Sequence, residues 1–279
     1  MITIQHGRLK AEIDLLGAEL VALYKDGENK LWCRDPEIWG NSAPLLFPIC
    51  GRLREGRYTH NGGDFTLSPH GFAKAAAFTV TEHTEDRAVF ELQSDADTVK
   101  VYPFTFALRA VYQLTDEGLV FRFEVENKGE DTMYYSLGGH WGFALAETLE
   151  SYALEFDRKV TLDREILDGA FLSGKQERVM TDQKVLPLSY RICDNDTYVF
   201  KNAPAACTLL HGSTPLLRLE YPDTPHLLLW TQPGQKYICI EPWNGMPDGE
   251  KSGELSQKDS ICALDGGKLK TFTHKIILY

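Results

Sequence analysis

Short runs of β-branched and aromatic residues recur about every ten residues along this chain, separated by glycine, proline, asparagine and aspartate. In residues 119–126, the apolar Leu119, Phe121, Phe123 and Val125 occupy every second position. A period of two is typical of a half-buried antiparallel strand. No long segment shows the 3.6-residue period of an amphipathic helix. The sequence therefore predicts an all-β fold.

Other segments extend this prediction along the chain. Strands are expected at residues 78–82, 88–92 and 104–112, where the same residue types cluster between turn sequences. Helix is expected only in short turns, near residues 36–39 and 256–259. The sequence contains no internal repeat, low-complexity linker or break in composition. We therefore predict that the strands form one domain.

The composition limits the partners of this single domain, which is predicted to span residues 1–279. Its formal net charge is −11 and its pI is near 5.2. Such a charge opposes binding to nucleic acid and to anionic membranes, because both are polyanions. The apolar stretch at residues 44–50 is too short to cross a bilayer. The expected partner is therefore a small molecule. The protein itself is expected to be a monomer or a homodimer.

The six cysteines are scattered along the chain without a Cys-x-x-Cys pair. This spacing fits neither a dense disulfide framework nor a zinc knuckle, and we interpret the cysteines as buried free thiols in a reducing compartment. The N-terminal residues lack the charged and apolar regions and the cleavage site of a secretory signal. A cytoplasmic location is therefore predicted.

Two basic side chains lie in unusual local settings. Arg52 follows an apolar run and a glycine at the end of a predicted buried segment. It is either delivered into a site or exposed after a turn, and the sequence leaves both interpretations open. His70 lies between Pro69 and Gly71, which impose an unusual backbone. A loop histidine is commonly only exposed, so His70 alone does not predict a function.

His140 lies in a segment rich in glycine, Gly138-Gly139-His140-Trp141. If a strand from Thr132 continues with a period of two, His140 faces the same side as the even-numbered residues before it. Glycines beside a histidine and a tryptophan indicate close approach of a ligand or of another backbone. Both interpretations stay open at this stage.

Glu241 ends a predicted apolar strand in which Tyr237 and Cys239 share its face. Burying an unpaired carboxylate is costly, so Glu241 lies either at a rim, capped by solvent, or in a polar site. Trp243 and Asn244 follow it and offer the stacking surface and the hydrogen-bonding group that a sugar needs. The sequence segment is therefore a candidate sugar site.

Other familiar motifs are absent from the sequence. It has no nucleophile elbow, no phosphate loop, no dinucleotide fingerprint and no zinc-protease motif. His70, His140 and Glu241 carry metal-binding atoms, but their spacing matches no metal motif, so neither a metal nor another cofactor is expected. The remaining histidines are interpreted as surface or satisfied core residues, and His226 is the one of these that most needs checking.

Four segments, taken together in this order, resemble motifs of the aldose 1-epimerase (galactose mutarotase) family: residues 46–52, 70–73, 138–143 and 240–243. The resemblance runs through nearly the whole chain. It implies a large antiparallel β-sandwich, the galactose mutarotase-like supersandwich, which binds an aldose on its open concave face without a cofactor. It also implies an isomerase that interconverts the α and β anomers of that sugar.

The resemblance implies a role for each candidate residue. Arg52 and His70 would hold the pyranose, His140 would protonate the ring oxygen, and Glu241 would take the proton of the anomeric hydroxyl. Opening the ring gives the aldehyde, rotation about the C1–C2 bond exposes its other face, and reclosure reverses both proton transfers. Trp243 would contribute the stacking surface.

The sequence also departs from the family pattern. Galactose mutarotases have an asparagine before the arginine, and here Gly51 occupies that place. Their sugar-binding aspartate is matched loosely by residues 194–200, within which we nominate Asp196. The chain is more similar to the divergent branch found beside lactose-utilisation genes, so galactose specificity does not follow.

Two alternatives stay open beside the free-sugar epimerase. A related branch of the family acts on hexose 6-phosphates, and Arg52, Arg54 and Lys74 are candidates for a phosphate clamp. The other alternative is a sugar-binding protein or sensor that has the fold without the chemistry. The presence of His70, His140 and Glu241 together favours an enzyme, since binding alone needs neither an acid nor a base. The sequence does not identify the aldose or the preferred anomer.

Overall fold

The computed structural model describes the backbone of residues 1–279 and all of their side chains except that of Asn195. The β-branched and aromatic runs form strands, because such side chains pack well on a pleated surface. The strands in chain order are β1 (Ile2–His6), β2 (Leu9–Ile13), β3 (Leu20–Lys25), β4 (Glu28–Asn29), β5 (Leu45–Leu46), β6 (Arg57–His60), β7 (Gly63–Thr66), β8 (Thr79–His83), β9 (Arg87–Gln93), β10 (Phe106–Leu114), β11 (Gly118–Asn127), β12 (Met133–Tyr135), β13 (Leu137–Gly139), β14 (Trp141–Ala144), β15 (Tyr152–Asp168), β16 (Phe171–Pro187), β17 (Tyr198–Phe200), β18 (Ala206–His211), β19 (Thr214–Glu220), β20 (His226–Trp230), β21 (Tyr237–Asn244), β22 (Cys262–Leu264) and β23 (Leu269–Leu278).

The predicted all-β fold is confirmed, and most strands belong to one large antiparallel sheet. This 15-stranded sheet follows the order β5-β13-β21-β20-β17-β15-β18-β19-β23-β11-β10-β9-β8, with β14 paired to β21 and β16 paired to β15. Strands β1 to β4 form a separate four-stranded sheet, and the pairs β6–β7 and β12–β22 form two small ones. The strands predicted from residues 78–126 correspond to β8, β9, β10 and β11.

The main hydrophobic core joins side chains of the four-stranded sheet to side chains of the large sheet. Leu119, Phe121, Phe123 and Val125 of β11 are buried in it, as their period of two predicts. Tyr112 of β10 also reaches across the core, and its hydroxyl donates to a backbone carbonyl before β3 at 2.6 Å. The four-stranded sheet therefore covers one part of the large sheet.

Helix is confined to short segments. The described residues contain one α-helix, Thr98–Val101, and five 3-10 helices, Arg54–Gly56, Ala73–Ala75, Leu149–Ser151, Tyr190–Asn195 and Leu255–Gln257. The last overlaps the turn expected near 256–259. Near 36–39 the chain makes a turn, in which the amides of Ile38 and Trp39 donate to the carbonyl of Asp35 at 3.1 and 2.7 Å. No described helix combines the length and apolar character that crossing a bilayer requires.

Two buried histidines test the interpretation of the remaining histidines as satisfied. His274 is satisfied, since the Trp141 indole donates to its Nδ1 at 3.1 Å and Thr224 Oγ1 lies 3.2 Å from its Nε2. Burial lowers the pKa of His274 to about 3, so its ring is neutral. His226 is only half satisfied, because the amide of Asn202 donates to its Nδ1 while its buried Nε2 has no partner among the described residues.

The cysteines are free thiols, as the spacing indicates, but they are not uniformly buried. Cys50, Cys207 and Cys239 are buried, whereas Cys33 is exposed. The expectation of buried thiols is therefore wrong for Cys33. Its sulfur is available to solvent, which makes Cys33 a surface comparison for any chemistry at Cys239.

Candidate active site

Strand β21 lies between the main core and a pocket on the other face of the large sheet, and its alternate side chains point to one or to the other. Ile238 and Ile240 pack into the core, whereas Glu241 and Trp243 line the pocket. This separation follows from the pleat, because successive side chains of a strand point to opposite faces. Glu241 is only 2% exposed, so it is not a strand-end residue capped by solvent.

His140 reaches the same pocket from a junction between two short strands. The continuous strand predicted from Thr132 is wrong, because the segment is interrupted at Ser136 and His140, and β12 pairs with β22 whereas β13 and β14 pair with β21. His140 lies between β13 and β14, both of which pair with β21. A Cβ atom on Gly138 would lie 2.4 Å from the Trp243 ring, so glycine is required for this close packing.

His70 has a left-handed backbone and a fixed ring tautomer. Its φ is 65°, and its amide donates to the carbonyl of Gly51 at 2.8 Å. The amide of Gly51 donates in return to His70 Nδ1 at 3.2 Å. Because Nδ1 accepts, the neutral ring carries its proton on Nε2. Burial, with the charges of Lys74 and Arg52, lowers the pKa of His70 to about 3, so His70 is a neutral N–H donor.

Close packing around Gly51 orients Arg52 and accounts for the departure from the family pattern. Gly51 has a φ of 71°, and a Cβ atom there would lie 2.7 Å from Pro247 Cβ. The amide of Asp248 donates to the carbonyl of Arg52 at 3.0 Å and holds the two segments together. The close approach of Pro247 to Gly51 leaves no room there for the asparagine side chain that galactose mutarotases have at this place.

His140 and Glu241 contact each other inside the pocket. His140 Nε2 lies 3.3 Å from Glu241 Oε2, and the two side chains are 12% and 3% exposed. At this distance and depth the two groups titrate together rather than separately. They form one acid–base unit, which we call the His140–Glu241 pair.

The surroundings of the His140–Glu241 pair favour its neutral form. Burial raises the pKa of Glu241 well above its usual range, and the negative charge of Asp196 raises it further. Burial lowers the pKa of His140 well below its usual range, and the nearby His70 and Lys74 act in the same direction. The pair therefore holds one exchangeable proton, which resides on Glu241 in the neutral form.

The six residues proposed from the sequence converge on one cavity. Its volume is about 340 Å³, which lies within the usual range of small-ligand sites. Asp196 enters it from the end of the 3-10 helix Tyr190–Asn195, where its φ is 69°. All six line its wall, namely Arg52, His70, His140, Asp196, Glu241 and Trp243.

Two further tryptophans, which sequence reasoning missed, complete an aromatic wall with Trp243. Trp39 and Trp230 both line the cavity. The ring centroids of Trp39 and Trp230 lie 5.0 and 5.7 Å from that of His140. Trp39 follows a turn and Trp230 ends an apolar strand, so each resembles an ordinary structural aromatic in sequence. Only their approach to His140 in the fold identifies them.

The cationic residues proposed for a phosphate clamp do not all reach the cavity. Arg52 and Lys74 line it, but Arg54 does not. Arg54 Nε donates to the carbonyl of Gly249 at 2.6 Å, and its guanidinium lies over the Phe171 ring at 4.3 Å. Among the described side chains, neither Arg52 nor Lys74 forms a salt bridge. Burial and the charge of Arg52 lower the pKa of Lys74, with no carboxylate acting against them.

The His140–Glu241 pair and the buried Cys239 beside it form a set of donor atoms of the kind that bind metals. One donor atom each from His140, Cys239 and Glu241 lies within 4.8 Å of the others. His70, which the sequence grouped with His140 and Glu241, is not in this set. Cys239 takes its place because it lies two residues before Glu241 on the same face of β21.

Comparison with known proteins agrees with this geometry. A family model described as aldose 1-epimerase matches residues 1–249. The protein LacX, chromosomal, of Lactococcus lactis subsp. lactis is 30% identical over 289 aligned residues, which cover 96% of each chain. A putative glucose-6-phosphate 1-epimerase of Salmonella typhimurium is 29% identical over 226 aligned residues, covering 77% of this chain and 67% of that protein.

A solved structure extends the comparison to three dimensions. The galactose mutarotase related enzyme from Lactobacillus acidophilus superimposes with a TM-score of 0.94 at 32% identity. The match covers 100% of this chain and 97% of that one. The similarity therefore includes the sheets and the loops that carry the cavity.

Proposed function

Because the chain belongs to the aldose 1-epimerase family, we propose that it is an isomerase that interconverts the α and β anomers of an aldose. The observation that carries this proposal is the 3.3 Å contact between His140 Nε2 and Glu241 Oε2 in a cavity with aromatic walls. The contact provides an acid and a base within reach of one sugar ring. A protein that only binds sugar has no need of such a pair.

Ring opening requires two coupled proton transfers. Glu241, as the carboxylate, takes the proton of the anomeric hydroxyl, and His140, as the imidazolium, gives its Nε2 proton to the ring oxygen. The bond between C1 and the ring oxygen breaks as the C1 carbonyl forms. The products are the open-chain aldehyde, protonated Glu241 and neutral His140. Burial favours this form of the pair, so the cavity stabilises the open-chain state relative to the cyclic one.

Reclosure reverses both transfers after the sugar has rotated about its C1–C2 bond. During this rotation the rest of the sugar must stay bound. His70 supplies a neutral N–H donor and Arg52 a cationic one, and Asp196 supplies an acceptor. Trp243 offers a ring face for stacking. These groups hold the sugar while leaving C1 free to turn.

The first prediction is that the purified protein accelerates mutarotation of an aldose in excess chelator. The proposed acid and base are both side chains, so no added ion is needed. Polarimetry of freshly dissolved α-glucose and α-galactose, corrected for the spontaneous rate, is the measurement. Activity that disappears with chelator and returns with a divalent ion would contradict this mechanism. Inactivity on every free and phosphorylated aldose tested would favour the sugar-binding alternative.

A second candidate function is supported by the unpaired cations of the cavity. Arg52 and Lys74 line its wall without a carboxylate partner, in a chain whose net charge is −11. Arg52 is exposed and Lys74 is half-buried, and an anionic group on the ligand would form charge-assisted hydrogen bonds with both. The similarity to a putative glucose-6-phosphate 1-epimerase points the same way. The substrate would then be a hexose 6-phosphate, handled by the same acid–base pair.

The second prediction separates these two substrate classes through Lys74→Gln. If Lys74 binds a phosphate, the variant should lose about 10-fold to 100-fold in kcat/KM for a hexose 6-phosphate, the usual cost of a hydrogen bond to a charged group. Its kcat/KM for the free hexose should change by less than about twofold, because a free hexose has no phosphate for Lys74 to bind. The exposed Arg57 lies outside the cavity, so Arg57→Gln is the matched control. Equal losses on both sugars would exclude the phosphate role.

A further inference from the structure

Cys239 is a buried group in the cavity region that the proposed chemistry does not use. It lies on β21 two residues before Glu241, and it pairs directly with Gly142 of β14. Since β14 begins just after His140, this pairing brings the thiol towards the His140–Glu241 pair. The donor atoms of His140, Cys239 and Glu241 consequently lie within 4.8 Å of one another. We call them the His140–Cys239–Glu241 trio.

The trio has the chemistry of a zinc site. Zn²⁺ prefers imidazole nitrogen, thiolate sulfur and carboxylate oxygen, and it binds them at about 2.0–2.3 Å in a tetrahedral arrangement. Ligand atoms around such an ion lie roughly 3–4 Å apart, a separation that the trio meets with small side-chain movements. A thiolate disfavours Mg²⁺ and Ca²⁺, which take oxygen ligands. The donor set therefore selects a thiophilic ion.

Charge balance supports the same assignment. Binding releases the thiol proton of Cys239 and the proton of Glu241 to the buffer, and the resulting thiolate and carboxylate neutralise a divalent cation, so the bound ion would leave no net charge in a buried site. This matters because an uncompensated buried charge is costly. Two members of the trio, His140 and Glu241, line the cavity, so the fourth coordination position would face it and would take a water molecule or a sugar hydroxyl.

We propose that the His140–Cys239–Glu241 trio binds a thiophilic divalent cation such as Zn²⁺, and that the bound ion inhibits the enzyme. The inhibition, though not the binding, rests on the proposed epimerase function. The ion would coordinate the base Glu241 and the acid His140 at once, so neither could exchange a proton with the sugar. The cation is thus an inhibitor and not a cofactor.

The binding test uses calorimetry with ZnCl₂ on the whole protein in thiol-free buffer. We expect one ion per chain at the trio, and Cys239→Ser should weaken that binding by at least the roughly 10-fold to 100-fold that loss of an outer-shell partner costs. Cys33→Ser is the matched control, because Cys33 is an exposed thiol able to collect zinc adventitiously. Co²⁺ provides an independent probe, since thiolate coordination gives a charge-transfer absorption that Cys239→Ser should lack.

A thermal melt keeps the test valid if Cys239→Ser is less stable. Zn²⁺ should raise the melting temperature of the wild type and of Cys33→Ser but not of Cys239→Ser, because only a native site gains from the ion. The binding proposal is overturned if the wild type binds no zinc, or if Cys239→Ser binds it as tightly as the wild type.

The inhibition test compares mutarotation rates with and without Zn²⁺, each variant being scored against its own metal-free rate. Zinc should inhibit the wild type and Cys33→Ser, chelator should reverse the inhibition, and Cys239→Ser should resist it. If zinc binds at the trio without slowing turnover, the proposed inhibition is refuted but the proposed binding site stands. Zinc binding in a protein inactive on all aldoses would instead refute the proposed function and leave the site intact.

Discussion

Replacing Glu241 with glutamine is expected to slow mutarotation by about 10²–10⁴-fold, the usual contribution of a positioned base. Glutamine keeps the shape of the side chain and most of its hydrogen bonds, but it cannot accept the proton of the anomeric hydroxyl. The change should therefore lower kcat much more than it alters sugar affinity. Polarimetry gives the rate, and calorimetry with the sugar gives the affinity.

A carboxylate elsewhere in the large sheet provides the control for this change. Glu91 on β9 accepts from Arg109 Nε at 2.6 Å and lies outside the cavity. Glu91→Gln should keep near-normal turnover, because it changes a charge without touching the sugar. Near-normal turnover in Glu241→Gln would remove Glu241 from the mechanism. Loss of sugar binding together with turnover would make Glu241 a binding residue, and Asp196 would become the first candidate base.

The pH profile of the wild type follows from the single proton of the His140–Glu241 pair. Below the lowered pKa of His140 the pair gains a second proton and has no base. Above the raised pKa of Glu241 the pair loses its proton and has no acid. Activity should therefore fall on both sides of a plateau that spans neutral pH. The two limbs belong to the pair as a unit rather than to either residue.

The sequence predicted those parts of the fold that depend on local periodicity. The strand at 119–126 was found because its side chains alternate between core and surface with a period of two, and the strands at 78–112 were found because β-branched and aromatic residues cluster between turn sequences. The same period places Glu241 opposite Ile240, and therefore in the cavity, once β21 is known to cover the core. The local pattern of apolar residues was therefore sufficient to predict a strand wherever one face of that strand is apolar.

The rest depended on contacts between distant segments. The expected strand is interrupted at Ser136 and His140, and its first part, β12, pairs with β22 whereas β13 and β14 pair with β21, a change of partner that no local pattern reveals. The approach of Trp39 to His140 and of Cys239 to the acid–base pair likewise results from tertiary packing. Arg54 looked equivalent to Arg52 in sequence, yet its side chain turns away to bond Gly249.

The effect of His140→Asn tests whether the acid and the base act as one unit. Asparagine can still hydrogen-bond, but it cannot deliver a proton, so we expect a loss of about 10²–10⁴-fold in kcat with little change in sugar affinity. If the pair works as a unit, either single change already disables it. The double variant with Glu241→Gln should then lose much less than the product of the two single losses.

The geometry gives a reason to expect this non-additivity. The two side chains are 3.3 Å apart and share one exchangeable proton, so each is useful only when the other is in the complementary protonation state. Polarimetric rates for the wild type, both single variants and the double variant complete the cycle. Losses that multiply would mean that His140 and Glu241 contribute independently.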